Sequence, residues 1–269
     1  MACAVSTDSA PVALVTGAAR GIGAATVHRL ANQGWRVVAV DLCADDPHVP
    51  YSLATPEQLR SVAHAHNGTV VEAIADVRDR TALDSIVRRT EEQFGRLDAV
   101  VAAAAVVTGG GRPLWETTTQ DWAPMFDIGV HGVANLARAA VPALLRRPEP
   151  RTGRFIALAS AAAHHGMWQL AGYNAAKHAV VGLIKGLAHD LRGTGVTAVA
   201  VSPGSTRTDL LTESARLYDL DGVDAFADHQ LLNRILEPEE VAAVVAWLCA
   251  PESACLTGSV VHADGGFQP

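Results

Sequence analysis

The sequence predicts a doubly wound, Rossmann-type α/β fold: a parallel sheet of about seven strands with helices on both faces. Three observations carry it. Short, nearly continuous apolar runs alternate with longer amphipathic stretches from end to end, as expected of parallel strands buried on both faces. The first run passes directly into Thr16-Gly17-Ala18-Ala19-Arg20-Gly21-Ile22-Gly23, and a helical pattern follows. An acid, Asp41, closes the second run, at the distance from the loop where a ribose-binding acid belongs.

In chain order, strands are expected at 12–16, 35–40, 70–75, 97–105, 154–160, 196–201 and 259–262. Helices are expected at 21–33, 56–67, 80–95, 120–146, 172–193 and 238–249. Glu237-Pro238-Glu239-Glu240 opens the last of these with a proline and acids, which suit the positive end of a helix dipole. No linker, repeat or composition break divides the chain, so one dinucleotide-binding catalytic domain over 1–269 is expected, with a flexible N-terminus over 1–10. Two segments fit the alternation poorly. Residues 42–55 form an insertion between a strand and the next helix, and residues 208–236 read as a mobile helical flap on the substrate side.

Hydrophobic residues make up 49% of the 269 residues, enough for a large core. The net charge of −7 argues against a nucleic-acid partner. The four cysteines form no C-x-x-C pair and no zinc-ligand spacing, so they read as reduced thiols with no metal. The apolar runs read as too short to span a bilayer, and the N-terminus lacks a basic and apolar leader. A soluble, cytoplasmic protein with no membrane role is the expectation.

Each glycine of the loop has a task. Gly17 permits the tight turn, Gly21 lets backbone approach a pyrophosphate, and Gly23 allows close helix–strand packing. The helix start then offers free N–H groups to phosphate. Asp41 would accept hydrogen bonds from the adenosine ribose and repel a 2′-phosphate, so NAD is expected over NADP. Arg20 pulls the other way, since a basic loop residue could hold that phosphate. Tyr173 and Lys177 lie at i and i+4 on one helix face, and Ser160 closes an earlier strand. A tyrosine beside an ammonium should ionise well below its usual pKa of about 10, which makes it a general acid/base. The serine can orient the same substrate oxygen.

With these motifs the chain resembles the short-chain dehydrogenases/reductases over nearly its whole length. The resemblance implies Asp76-Val77 as the adenine contact and Pro203-Gly204 with Thr206 and Thr208 as the loop at the nicotinamide and pyrophosphate. Gly17, Arg20, Gly21, Ile22, Gly23, Asp41, Leu42 and Ala102 complete the implied cofactor site with Tyr173 and Lys177. It further implies that Tyr173 exchanges a proton with a secondary alcohol or ketone, that Lys177 binds the nicotinamide ribose and lowers the tyrosine pKa, and that Ser160 positions the substrate oxygen. Family members pair long apolar helices, so a homodimer or homotetramer built on 122–145 and 173–191 is implied. Ala102-Ala103-Ala104-Ala105 departs from the family's Asn-Asn-Ala-Gly, and Gly129 stands where a catalytic asparagine is usual. These departures keep two alternatives in play: a non-catalytic NAD(H)-binding regulatory protein, and a non-redox enzyme on the same scaffold. The insertion after Asp41 resembles that of the mycofactocin-associated branch, which implies a buried, slowly exchanging NAD and mycofactocin as electron acceptor.

Overall fold

The computed structural model describes residues 10–268, so the expected flexible N-terminus lies, apart from Ala10, outside the described residues. The sheet runs β1 (Val12–Thr16), β2 (Arg36–Asp41), β3 (Val70–Ile74), β4 (Ala99–Ala102), β5 (Arg154–Leu158), β6 (Thr197–Pro203) and β7 (Val260–Ala263). All pairings are parallel, in the spatial order β3-β2-β1-β4-β5-β6-β7. Strand order therefore reverses direction between β1 and β4, and the crevice above their carboxyl ends is where such sheets bind ligands.

Helices α1 (Gly21–Asn32), α2 (Pro56–His64) and α8 (Pro238–Cys249) cover one face, where Val27, Leu30, Leu59, Val241 and Val245 meet Val15, Ala39 and Val199. Helices α3 (Arg80–Phe94), α5 (Gly132–Arg146) and α6 (Ala171–Asp190) cover the other, with Leu83, Leu136, Leu144 and Ile184 packed on Leu14, Val100 and Phe155. The two remaining helices, α4 (Thr119–Phe126) and α7 (Asp209–Leu217), lie at the cavity end. Every residue of β1 and β5 is buried, which explains why these strands read as nearly continuous apolar runs, interrupted only by Thr16 at the end of β1 and Arg154 at the start of β5.

Three expectations need correction. The fourth strand was expected over 97–105 but covers only Ala99–Ala102, because Ala103 leaves the ladder and gives its N–H to Thr16 Oγ1 at 3.3 Å. The expected single helix at 120–146 is α4 and α5 joined through one π-helical turn, Asp127–His131. By length and apolar composition the resulting stretch, Thr119–Arg146, could cross a bilayer, contrary to the sequence reading; half of its most apolar window is buried inside the fold. Apolar surface on a core helix reflects its packing partners.

Candidate functional site

A cavity of about 940 Å³ opens over the carboxyl ends of the strands, large for a small-molecule site. It is lined at one end by the β1–α1 loop and at the other by α7 and the segment after β5. Gly17 sits at φ +66°, and a Cβ there would come within 2.7 Å of the Ala104 backbone nitrogen. A Cβ on Gly23 would collide with the Gly17 carbonyl oxygen. Both positions thus exclude side chains for packing reasons alone. Arg20, the residue before α1, makes no side-chain cap, so the helix start keeps its N–H groups for a ligand in the cavity.

Asp41 Oδ2 accepts the Ala19 N–H at 2.9 Å, so the acid at the tip of β2 also holds the glycine loop. Its remaining lone pairs can still accept ribose hydroxyls. The Arg20 guanidinium is engaged elsewhere. It pairs with Asp209 on α7 at 2.9 Å and donates to the Ser52 carbonyl at 3.2 Å. That engagement weakens the case for Arg20 as a 2′-phosphate ligand. Gly21, Ile22, Leu42, Asp76, Val77, Pro203, Thr206 and Thr208 all line the same cavity. Ala102 does not. It is 4% exposed and, as the last residue of β4, packs in the core, and Ala103 to Ala105 line the cavity instead. The strand's alternation turns its last side chain into the sheet face.

Ser160, Tyr173 and Lys177 meet at the middle of the cavity. Ser160 Oγ accepts the Ala162 N–H at 3.1 Å, and the Ser160 hydroxyl opposes the rise of the Tyr173 pKa. Lys177 is 5% exposed and donates from Nζ to the Leu158 carbonyl at 3.0 Å. Burial lowers Lys177 from 10.5 to about 8. The expected depression of Tyr173 is not found. Burial pushes its phenol up to about 12, only partly opposed by the Ser160 hydrogen bond. The ammonium is 5.7 Å from the tyrosine ring centre and turned to a carbonyl, so desolvation outweighs it. Gly129 lies in the π-helical turn, and a Cβ there would meet nothing within 4 Å. Open space therefore stands where the expected asparagine is missing.

The insertion over 42–55 is held at several points that the sequence did not disclose. Arg78 pairs with Asp46 at 2.7 Å and with Asp76 at 2.6 Å. Burial pushes Asp46 up, but the His48 N–H and the Arg78 guanidinium outweigh it, so its carboxyl sits below the ordinary range. Asp45 accepts the Leu53 N–H at 2.7 Å, and Tyr51 reaches the cavity wall.

Residues 208–236, the segment read as a flap, contain α7 and a 3-10 turn, Val223–His229. Its aromatics join Trp168 and Phe267 in a chain of rings that lines the cavity. Trp168 stacks on Tyr218 at 6.1 Å, Tyr218 meets Phe226 at 6.2 Å, and His229 meets Phe267 at 5.9 Å. Phe267, close to the C-terminus, was not anticipated as a wall residue. The adjacent His164 and His165 point apart, the first to Ser202 Oγ at 2.9 Å and the second onto Phe267. Among the described residues no cluster of three or more His, Cys, Asp or Glu side chains could hold a metal ion.

A family model described as enoyl-(acyl carrier protein) reductase matches residues 17–268. The short-chain reductase protein NovJ of Streptomyces niveus is 36% identical over 266 residues, covering 98% of this chain and 95% of that protein. The chain belongs to the short-chain dehydrogenase/reductase family. An uncharacterised NAD-dependent oxidoreductase of Mycobacterium tuberculosis is 34% identical to this dehydrogenase/reductase, over 95% of this chain and 94% of that one. The crystal structure of carveol dehydrogenase from Mycobacterium avium in complex with NAD superposes with a TM-score of 0.89 at 33% identity, covering 96% of this chain and 98% of that chain.

Proposed function

We propose that this NAD-dependent oxidoreductase moves hydride between nicotinamide and a secondary alcohol or ketone with an apolar body. The observation that carries the reading is the meeting of Ser160, Tyr173 and Lys177 with the glycine loop and Asp41 around one cavity. When bound, NAD supplies the hydride acceptor or, once reduced, the donor. Gly17, Gly21, Gly23 and the start of α1 would hold its pyrophosphate, Asp41 its adenosine ribose, and Asp76 and Val77 its adenine. Pro203, Thr206 and Thr208 would lie at the nicotinamide end.

In the reductive direction the neutral Tyr173 phenol gives its proton to the substrate oxygen, which Ser160 orients. A phenol raised to about 12 is protonated at neutral pH and ready for that step. In the oxidative direction Tyr173 must first lose its proton, which requires positive charge nearby; Lys177 is the residue placed to provide it. The retained Ser160, Tyr173 and Lys177 favour this reading over a non-catalytic binding protein or a non-redox enzyme.

Trp168, Leu210, Leu211, Tyr218, Leu220 and Phe226 line the far end of the cavity, which suits an apolar and ring-bearing substrate. Carveol is a rational first probe, given the neighbour named above. The anchored insertion supports slow exchange of NAD, with mycofactocin as the electron acceptor. Cytoplasmic location, a single catalytic domain and a homodimer or homotetramer through α5 and α6 belong to the same proposal. Purified protein should oxidise carveol or another cyclic secondary alcohol with an artificial electron acceptor. No turnover of any alcohol or ketone, with NAD, NADP or that acceptor, would overturn the redox assignment.

A further inference from the structure

The strap over 42–55 reaches further than the adenosine end of the cavity. Tyr51 packs in one apolar cluster with Val106, Met125, Ile128 and Tyr173, and it lines the same cavity wall as the catalytic tyrosine. Its position is fixed from both sides. The next residue, Ser52, gives its carbonyl to Arg20 of the glycine loop at 3.2 Å. The Tyr51 hydroxyl oxygen accepts the Val107 N–H at 3.0 Å. That bond uses the oxygen as acceptor only. Among the described residues no group accepts the phenol's own proton. Burial raises Tyr51 above its ordinary value, so the proton is present at neutral pH.

A donor held by packing and by a backbone N–H, and facing a ligand cavity, is preorganised for a ligand oxygen. Two features decide which ligand. Tyr51 is adjacent in sequence to the residue bound by Arg20, and it feels the Arg20 charge. It therefore stands between the pyrophosphate loop and Tyr173, along the path a dinucleotide must take. We propose that Tyr51 is a cofactor-binding residue, donating its phenolic proton to an oxygen of the bound dinucleotide. The inference rests on the NAD reading above and adds a hydrogen bond that no motif of the family supplies. The strap then acts as part of the binding site as well as a cover over it.

The test compares wild-type protein with Tyr51→Phe, which keeps the ring and its packing. NADH release is followed by the loss of bound-nucleotide fluorescence, and the alcohol KM is measured in parallel. Tyr51→Phe should speed NADH release roughly fivefold, the size of one neutral hydrogen bond. The substitution also removes the Val107 acceptor, so melting temperatures are measured with and without saturating NADH. Loss of a purely structural bond lowers both equally. Loss of a ligand bond shrinks the NADH-induced rise. An unchanged release rate, an undiminished NADH-induced rise, or a higher KM with normal NADH release would overturn the proposal. If wild-type protein bound no NADH at all, the NAD reading itself would have failed.

Discussion

Lys177 offers a quantitative check on the electrostatics of the site. Lys177 is 5% exposed, its ammonium hydrogen-bonds to the Leu158 carbonyl, and among the described residues no carboxylate compensates the charge. Burial lowers its pKa from 10.5 to about 8. At about 1.4 kcal/mol per pH unit, the buried charge costs the fold roughly 3 kcal/mol. The folded pKa is depressed, so the unfolded chain binds the extra proton between pH 8 and 10.5. Wild-type stability should therefore rise through that window. Below it the full cost is present, and above it the cost is gone. Lys177→Met preserves the stem and removes the charge. Losing the bond to Leu158 offsets about 1 kcal/mol, so the variant should be about 2 kcal/mol more stable than wild type at pH 7. That advantage should fall by about 3 kcal/mol on going to pH 10.5. Urea unfolding of nucleotide-free protein at the two pH values measures both quantities. A stability difference independent of pH would refute the reasoning, whatever its size at pH 7.

Three further outcomes are expected. Wild-type protein should bind NADH at least tenfold more tightly than NADPH, because Asp41 repels a 2′-phosphate and Arg20 is engaged with Asp209 and Ser52; Asp41→Ala should narrow the ratio in calorimetry. Asp46→Asn should loosen the strap from Arg78 and speed NADH release several-fold, whereas an unchanged rate would show that the strap does not limit exchange. The Asp46 carboxyl lies below its ordinary range, so in wild type this anchor is complete above the usual carboxylate pKa and is lost as pH falls through the folded value. Gly129→Ala adds a methyl to open helical space and should raise stability by about 0.5–1 kcal/mol; a loss of stability by urea unfolding would place an unrecognised contact there.

The sheet and its helices were legible because burial on both faces leaves strands such as β1 and β5 as nearly continuous apolar runs. The loop residues Gly17 to Gly23 and the helix pair Tyr173 and Lys177 were legible because spacing alone fixes them on one turn or one face. Ala102 was misplaced, since a motif aligned by sequence does not say which side chain of a strand end turns inward. The Tyr173 pKa was misjudged for a related reason: spacing on α6 brings Lys177 near, but the Leu158 carbonyl that draws its ammonium belongs to β5. Contacts between distant segments were also invisible. Asp46 with Arg78, Arg20 with Asp209, and Tyr51 with Val107 join elements far apart in the chain, and nothing local encodes such pairs.

The central claim is that Tyr173 exchanges the proton while hydride passes to or from bound NAD. It is tested most directly by single turnover of a carbon-deuterated secondary alcohol on wild-type and Tyr173→Phe protein, each loaded with NAD. Wild type should deliver the deuterium to the bound nucleotide, detected by mass spectrometry. Tyr173→Phe should keep its NAD and transfer at least a hundredfold more slowly, in the range of a lost general acid/base. Near-normal transfer by Tyr173→Phe, or a wild-type nucleotide without deuterium, would contradict the account.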